Sequence, residues 1–170
     1  MQNNTIETWQ VISMRPLTKL EAILWSIALP GFSQLLSGHI LKGIIFIVLE
    51  FMINVFSNFN TAIRYSFLGE IDHAIEVTDF QWLMFYPCLY MFAMWDAYRS
   101  SMPNSEELSF LPFAFGAYFI TVGLMYSTKV TIFGILFGPV FLPMLSLIPG
   151  LAVGFLIRWL ILIYRKRRVA

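Results

Sequence analysis

Glu50 sits near the middle of an otherwise apolar run, residues 43–54. A carboxylate there is expensive to bury in hydrocarbon, so it is expected to face a bundle interior, to be protonated or to have a partner. Gly43, Glu50, Asn54, Ser57 or Asn58, and Thr61 recur at spacings that place them on one helical stripe. A second stripe runs through Ser26, Pro30, Ser33 or Gln34, and Ser37. A hairpin turning near Gly38 and His39 would pack the two stripes together, with Pro30 level with Leu49 or Glu50. Pro30 leaves the Ser26 carbonyl without its helical donor, and the Asn54 amide or a protonated Glu50 is expected to supply one. The rival use of Glu50 is a proton or cation site in a permeation path lined by Asn54 and Gln34. Packing is preferred, because a single acid without a relay makes a poor pathway. Arg158, the other intramembrane charge, is expected to snorkel to the surface, with an ion pair to Glu50 as the alternative.

Other chemistry is sparse. His39 and His73 lack partners at helical spacing, and with Cys88 alone they do not compose a metal site. Cys88, inside Phe85-Tyr86-Pro87-Cys88-Leu89-Tyr90, reads as a small buried side chain rather than a reactive thiol. Glu70, Asp72, Glu76 and Asp79 lack the glycine-pinned spacing of a calcium loop and read as a solvated acidic loop. Neither a nucleophile elbow nor a glycine-rich phosphate loop occurs. Catalytic residues, metal and cofactor are therefore not expected.

The elements that must position these residues follow from composition. The 170 residues are 58% apolar and only 12% charged, with a mean hydropathy of +0.72, against about 25% charged residues in ordinary globular chains. That balance points to an all-α, polytopic transmembrane helix bundle in the cytoplasmic membrane and argues against a soluble domain. A net charge of +1 offers no field for nucleic acid. The expected partners are the lipid bilayer and another membrane protein or a second copy. No cleaved signal is expected, since residues 1–20 lack a basic stretch running straight into an apolar core.

A crossing helix needs roughly 20 apolar residues. Residues 20–36, 40–57, 80–95 and 110–126 approach that length, and 130–164 exceeds it, so a break is expected at Pro149-Gly150, giving six spans. A break at Gly138-Pro139 and Pro143 would instead leave five, with 130–148 dipping into the membrane without crossing. Six spans put Arg15, Lys19, Arg64, Lys129 and Arg165 to Arg168 on one side against Lys42 and Arg99. Five spans divide the basic residues six to four, and the more uneven split favours six spans with both termini cytoplasmic. The domains are then a cytoplasmic segment 1–19, a transmembrane domain 20–164 and a basic tail 165–170, the tail read as a topology anchor. Trp82, Trp95 and Tyr98 are expected at the interfaces. Gly134 with Gly138, and Gly150 with Gly154, form small-residue notches for close helix packing.

One longer pattern is Pro30-Gly31-x-x-Gln34, continuing through Gly38, Lys42 and Gly43, and followed by Asp96-Ala97-Tyr98-Arg99. It resembles small bacterial membrane proteins similar to the two-transmembrane-helix domain family, over residues 20–99. Ser33 replaces an expected glycine, and Ala97 and Tyr98 separate the acid and base of the second motif. The resemblance implies a glycine-rich membrane hairpin without catalytic activity. It makes Gly31, Gln34, Gly38, Lys42, Gly43, Asp96 and Arg99 structural or partner-contact positions. Asp96 and Arg99, three apart, would form a local pair worth a few tenths of a kcal/mol, which leaves room for a use beyond stability.

Overall fold

In the computed structural model, which describes residues 17–102 and 106–169, the first described helix starts at Lys19. The Thr18 side chain accepts from the Glu21 amide, and the Glu21 carboxylate accepts from the Thr18 amide, a reciprocal cap that starts α1 (Lys19–Ala28). Helix α1 stops because Pro30 has no N–H and Gly31 adopts φ 97°, a left-handed conformation glycine reaches without strain. The chain folds back through α2 (Phe32–Leu36), which Gly38 ends at φ 82° while the His39 amide donates to the Gln34 carbonyl.

Residues 20–36 are therefore not one helix but a short hairpin. Lys19 lies over the Tyr98 ring, the α1 end reaches the Tyr90 hydroxyl, and Gln34 on the return arm is back beside Asp96. The ten residues of α1 rise about 15 Å. Helix α3 (Ile40–Phe56) then runs antiparallel to α7 (Tyr86–Ser100), with Lys42 at Asp96, Phe46 at Phe92 and Glu50 at Tyr86. Phe56 stacks on Trp82 at the far end.

Asn58, at φ 55°, bends the chain by 64° into α4 (Phe59–Phe67). With α5 (Ile71–Val77), α4 folds across this end of the bundle, and α6 (Phe80–Leu83) leads back into α7. The Asp79 carboxylate caps α6 by accepting from the Gln81 and Trp82 amides, and the Asp79 amide donates to the Ser57 carbonyl at 3.1 Å. Helix α8 (Leu111–Tyr126) returns antiparallel to α7, and a tight hairpin, β1 (Thr131–Ile132) paired with β2 (Ile135–Leu136), introduces α9 (Gly138–Val169).

The fold is all-α apart from that hairpin. The expected break at Pro149-Gly150 is absent: α9 runs through both Pro143 and Pro149. A proline removes one backbone hydrogen bond, whereas a chain break would strand several amides and carbonyls at once. Instead Gly150 and Gly154 press α9 against α8, where an added Cβ would come within 2.9 Å of the Phe115 carbonyl and 2.5 Å of Pro112 Cα. Gly134 and Gly138 are not a notch. Both have left-handed φ, Gly134 in the β-turn with open space around it, and Gly138 at the start of α9 against Ile71.

One described helix, Gly138–Arg168, is long and apolar enough to cross a membrane, and the bent pair α3–α4 passes the same test jointly. Large apolar side chains nonetheless face outward on several elements, among them Leu24, Ile45, Val48, Phe51, Ile148 and Phe155.

Candidate functional site

Three elements meet at a polar clasp. Gln34, on α2, is 1% exposed and inserts toward α7, where its Nε2 donates to the Ala93 carbonyl at 2.8 Å and to Asp96 Oδ2 at 3.2 Å. Lys42, in the first turn of α3, donates to Asp96 Oδ1 at 2.9 Å. The Asp96 carboxylate thus joins α2, α3 and α7, and it is largely buried, whereas Lys42 reaches solvent. Behind the clasp, Gly31 and Gly43 let the α2 arm lie directly on α3: a Cβ on Gly43 would meet Leu35 Cδ2 at 2.6 Å and the Gly31 carbonyl at 2.8 Å. Pro30 and Gly38 set the two bends.

The two halves of the sequence pattern therefore converge in space, with one exception. Arg99 does not pair with Asp96. It lies over the Trp95 ring at 5.4 Å, because the carboxylate points to the opposite flank of α7, where Lys42 and Gln34 hold it.

Glu50 behaves differently from expectation. It is half-buried and its nearest polar contact is the Tyr86 hydroxyl, which donates at 3.5 Å. Asn54 donates to Asn60 at 3.3 Å, so neither residue serves the broken end of α1. That task falls to Tyr90, whose hydroxyl donates to the Ile27 carbonyl. The hairpin register explains the difference: folding back at Pro30 brings Gly31 level with Gly43, Phe46 and Ile47 rather than with Glu50. Glu50 lines neither the apolar cavity of about 650 Å³ at the bundle centre nor the groove of about 810 Å³ beside α7.

Arg158 is not paired with Glu50 either. It donates to Glu106 Oε2 at 2.9 Å and to the Glu107 carbonyl at 3.0 Å. Lys19 donates to the other Glu106 oxygen, and Tyr98 to Oε2 at 3.3 Å. These donors, Lys19 first, lower the Glu106 pKa to about 2, and the same contact raises that of Lys19. Arg165 meets Glu107 at 3.2 Å, so the tail is tied to the loop before α8.

Sequence reasoning missed Glu106, whose partners lie 87 and 52 residues away. It also missed the stacked Tyr86 and Tyr90, whose four-residue spacing on α7 was a usable signal. Cys88 is exposed, not buried, because it lines an open groove beside α7. Among the described residues, no three His, Cys, Asp or Glu side chains converge as a metal site would require. Arg15 and the rest of 1–16, like Ala170, lie outside the described residues.

The arrangement is suited to holding helices in register. One carboxylate is shared by an amide from α2 and an ammonium from α3, so it ties three helices together. Comparison with protein-family models, with curated proteins and with solved structures returns no match.

Proposed function

We propose that this chain is an integral protein of the cytoplasmic membrane that serves as a non-enzymatic interaction component of a membrane assembly. In this reading α3, α7, α8 and α9 cross, while α1–α2 enters to mid-depth and returns. Helices α3 and α8, of 17 and 16 residues, rise about 26 and 24 Å, and flanking turns make up the rest of a hydrocarbon layer about 30 Å thick. From Gly138 to Arg158, α9 climbs about 30 Å before meeting the Glu106 loop.

The carrying observation is the distribution of charge around an apolar belt. Lys19, Lys42, Arg99, Arg158 and the four basic residues of the tail gather at one end, while Arg64 and Lys129 lie at the other with Glu70, Asp72, Glu76 and Asp79. Basic residues collect on the cytoplasmic face, so the basic end and both termini belong there. Accordingly four crossings with a half-depth hairpin take the place of six or five.

Single cysteines in a Cys88→Ala background test this topology. His39→Cys, Ser100→Cys and Lys166→Cys should all react with an impermeant maleimide from the cytoplasmic side, and Thr128→Cys from the opposite side. Six spans would put His39→Cys and Ser100→Cys opposite Lys166→Cys, which would overturn the arrangement. For the interaction role, crosslinking in native membranes should recover a second membrane protein.

The rival reading is a small transporter or channel component with Glu50 as a proton or cation site. Its support is that Tyr86, which touches Glu50, also lines the central cavity. A reconstituted proton or cation flux abolished by Glu50→Gln, with folding retained, would replace the interaction reading.

A further inference from the structure

The groove of about 810 Å³ lies between α7 and α8, with Cys88 and Phe92 on one wall, Ala114 and Ala117 on the other, and Trp95 and Arg99 among its lining. Phe92 and Cys88 are exposed, so the groove opens sideways onto the apolar belt rather than into the bundle. Its size is that of a ligand site and its lining is almost wholly apolar.

Two polar features break that lining, and both are donors. Arg99, in the last turn of α7, has no carboxylate within ion-pair distance among the described residues, and its guanidinium is held over the Trp95 ring. The indole N–H of Trp95 is buried without an acceptor among the described residues. An unpaired cation beside one apolar slot calls for an anion carrying an apolar chain. The central cavity does not match this description, because no Lys or Arg is among the described residues that line it.

We infer that the α7–α8 groove is a binding site for an anionic phospholipid, one acyl chain lying between Cys88 and Ala117 and the phosphate accepting from Arg99. The site rests on the membrane reading above. Arg99 suits the role because a planar guanidinium donates twice to a phosphate, and the Trp95 ring fixes its plane. It also gives the basic half of the Asp96–Arg99 motif a use that the absent local pair leaves open.

The test uses the full chain, delipidated in mild detergent and incubated with phosphatidylglycerol and phosphatidylcholine of matched chains, with retained lipid read by native mass spectrometry. The wild type should retain phosphatidylglycerol about fivefold over phosphatidylcholine, the factor equivalent to about 1 kcal/mol for one basic group near an anionic headgroup. Arg99→Gln should abolish the preference and Arg99→Lys should keep only part of it. Ala114→Phe, or a bulky maleimide on the native Cys88 where that variant does not fold, should displace both lipids.

Equal retention of the two lipids by the wild type, an unchanged preference in Arg99→Gln, or displacement of phosphatidylglycerol by inorganic phosphate alone would each overturn the site. Vesicle flotation separates the two levels. A chain that floats without lipid preference overturns the site only, and a chain that does not float overturns the membrane reading with it.

Discussion

Helices α8 and α9 hold each other by shape, whereas the α1–α2–α3 side is tied to α7 by polar groups. Between α8 and α9 close approaches occur at Gly123, Gly150 and Gly154, where an added Cβ would meet backbone or the first atoms of a side chain. Gln34, Lys42 and Asp96 join α2 and α3 to α7, the Tyr90 hydroxyl joins α1 to it, and Tyr86 reaches Glu50 on α3. In lipid, apolar surface gains little by leaving one apolar surrounding for another, so close packing and hydrogen bonds carry association. A straight helix can use packing throughout its length. A hairpin that stops at mid-depth exposes carbonyls there, and hydrogen bonding must hold it.

The comparison predicts the size of each lesion. Gly154→Leu should be the most damaging, since even a Cβ would stand 2.5 Å from Pro112 Cα and 2.8 Å from the Leu111 carbonyl, neither of which can move aside. A loss of about 3 kcal/mol is expected from overpacking of this kind, read as a lower unfolding midpoint in mixed micelles. A midpoint within experimental error of the wild type would mean that α8 and α9 are not held by shape.

Asp96→Ala comes next, because it leaves the Gln34 amide and Lys42 short of an acceptor. A loss of about 1–2 kcal/mol is expected. Gln34→Leu should cost less, since it also removes a buried Oε1 that has no donor among the described residues. If Gln34→Leu proves the worse of the two, the clasp is centred on the amide rather than on the carboxylate.

Smaller again is the acid response of Glu106. Its pKa is lowered in the folded chain, so the stability it contributes is present above the ordinary carboxylate value near 4.5 and is lost as pH falls toward about 2. The carboxylate is about one-third exposed, and solvent screening limits the effect to roughly 1 kcal/mol. Thermal midpoints of the wild type should fall between pH 5 and pH 2 more steeply than those of Glu106→Gln. Parallel slopes would remove Glu106 as the tie between α1 and α9.

The smallest effect is the Lys42–Asp96 coupling. Lys42 is half exposed, so a double-mutant cycle should return about 0.5 kcal/mol. A value several times larger would mean that the ammonium is shielded by lipid or by a partner.

Parts of this were legible in the chain. The stripe through Ser26 predicted that Ser26, Pro30 and Ser33 or Gln34 turn inward, and all four are buried; of the stripe through Glu50, Gly43 and Ser57 are buried, Glu50 and Asn54 half-buried and Thr61 exposed. Gly150 and Gly154 lie against α8 while Gly134 and Gly138, at the same spacing, do not, because only the first pair lies inside a helix. Trp82 and Trp95 fall at opposite ends of the α6–α7 stretch. Pro30 and Pro149, by contrast, look alike in sequence and act oppositely. Pro30 precedes a glycine free to turn left-handed and a pair of glycines against which the returning arm fits. Pro149 precedes a glycine whose space is already filled by α8, so α9 continues.

Composition and periodicity alone determined that these residues form helices with apolar exteriors and a few inward polar positions, because hydrogen-bond geometry and side-chain direction are local properties of the chain. Which helix folds back after ten residues, and which residue Glu106, Arg158, Asp96 and Arg99 each meet, was decided only in three dimensions. Those partners lie up to 87 residues apart, and a charge or amide can choose among distant partners only after packing has fixed which of them lie within hydrogen-bond reach.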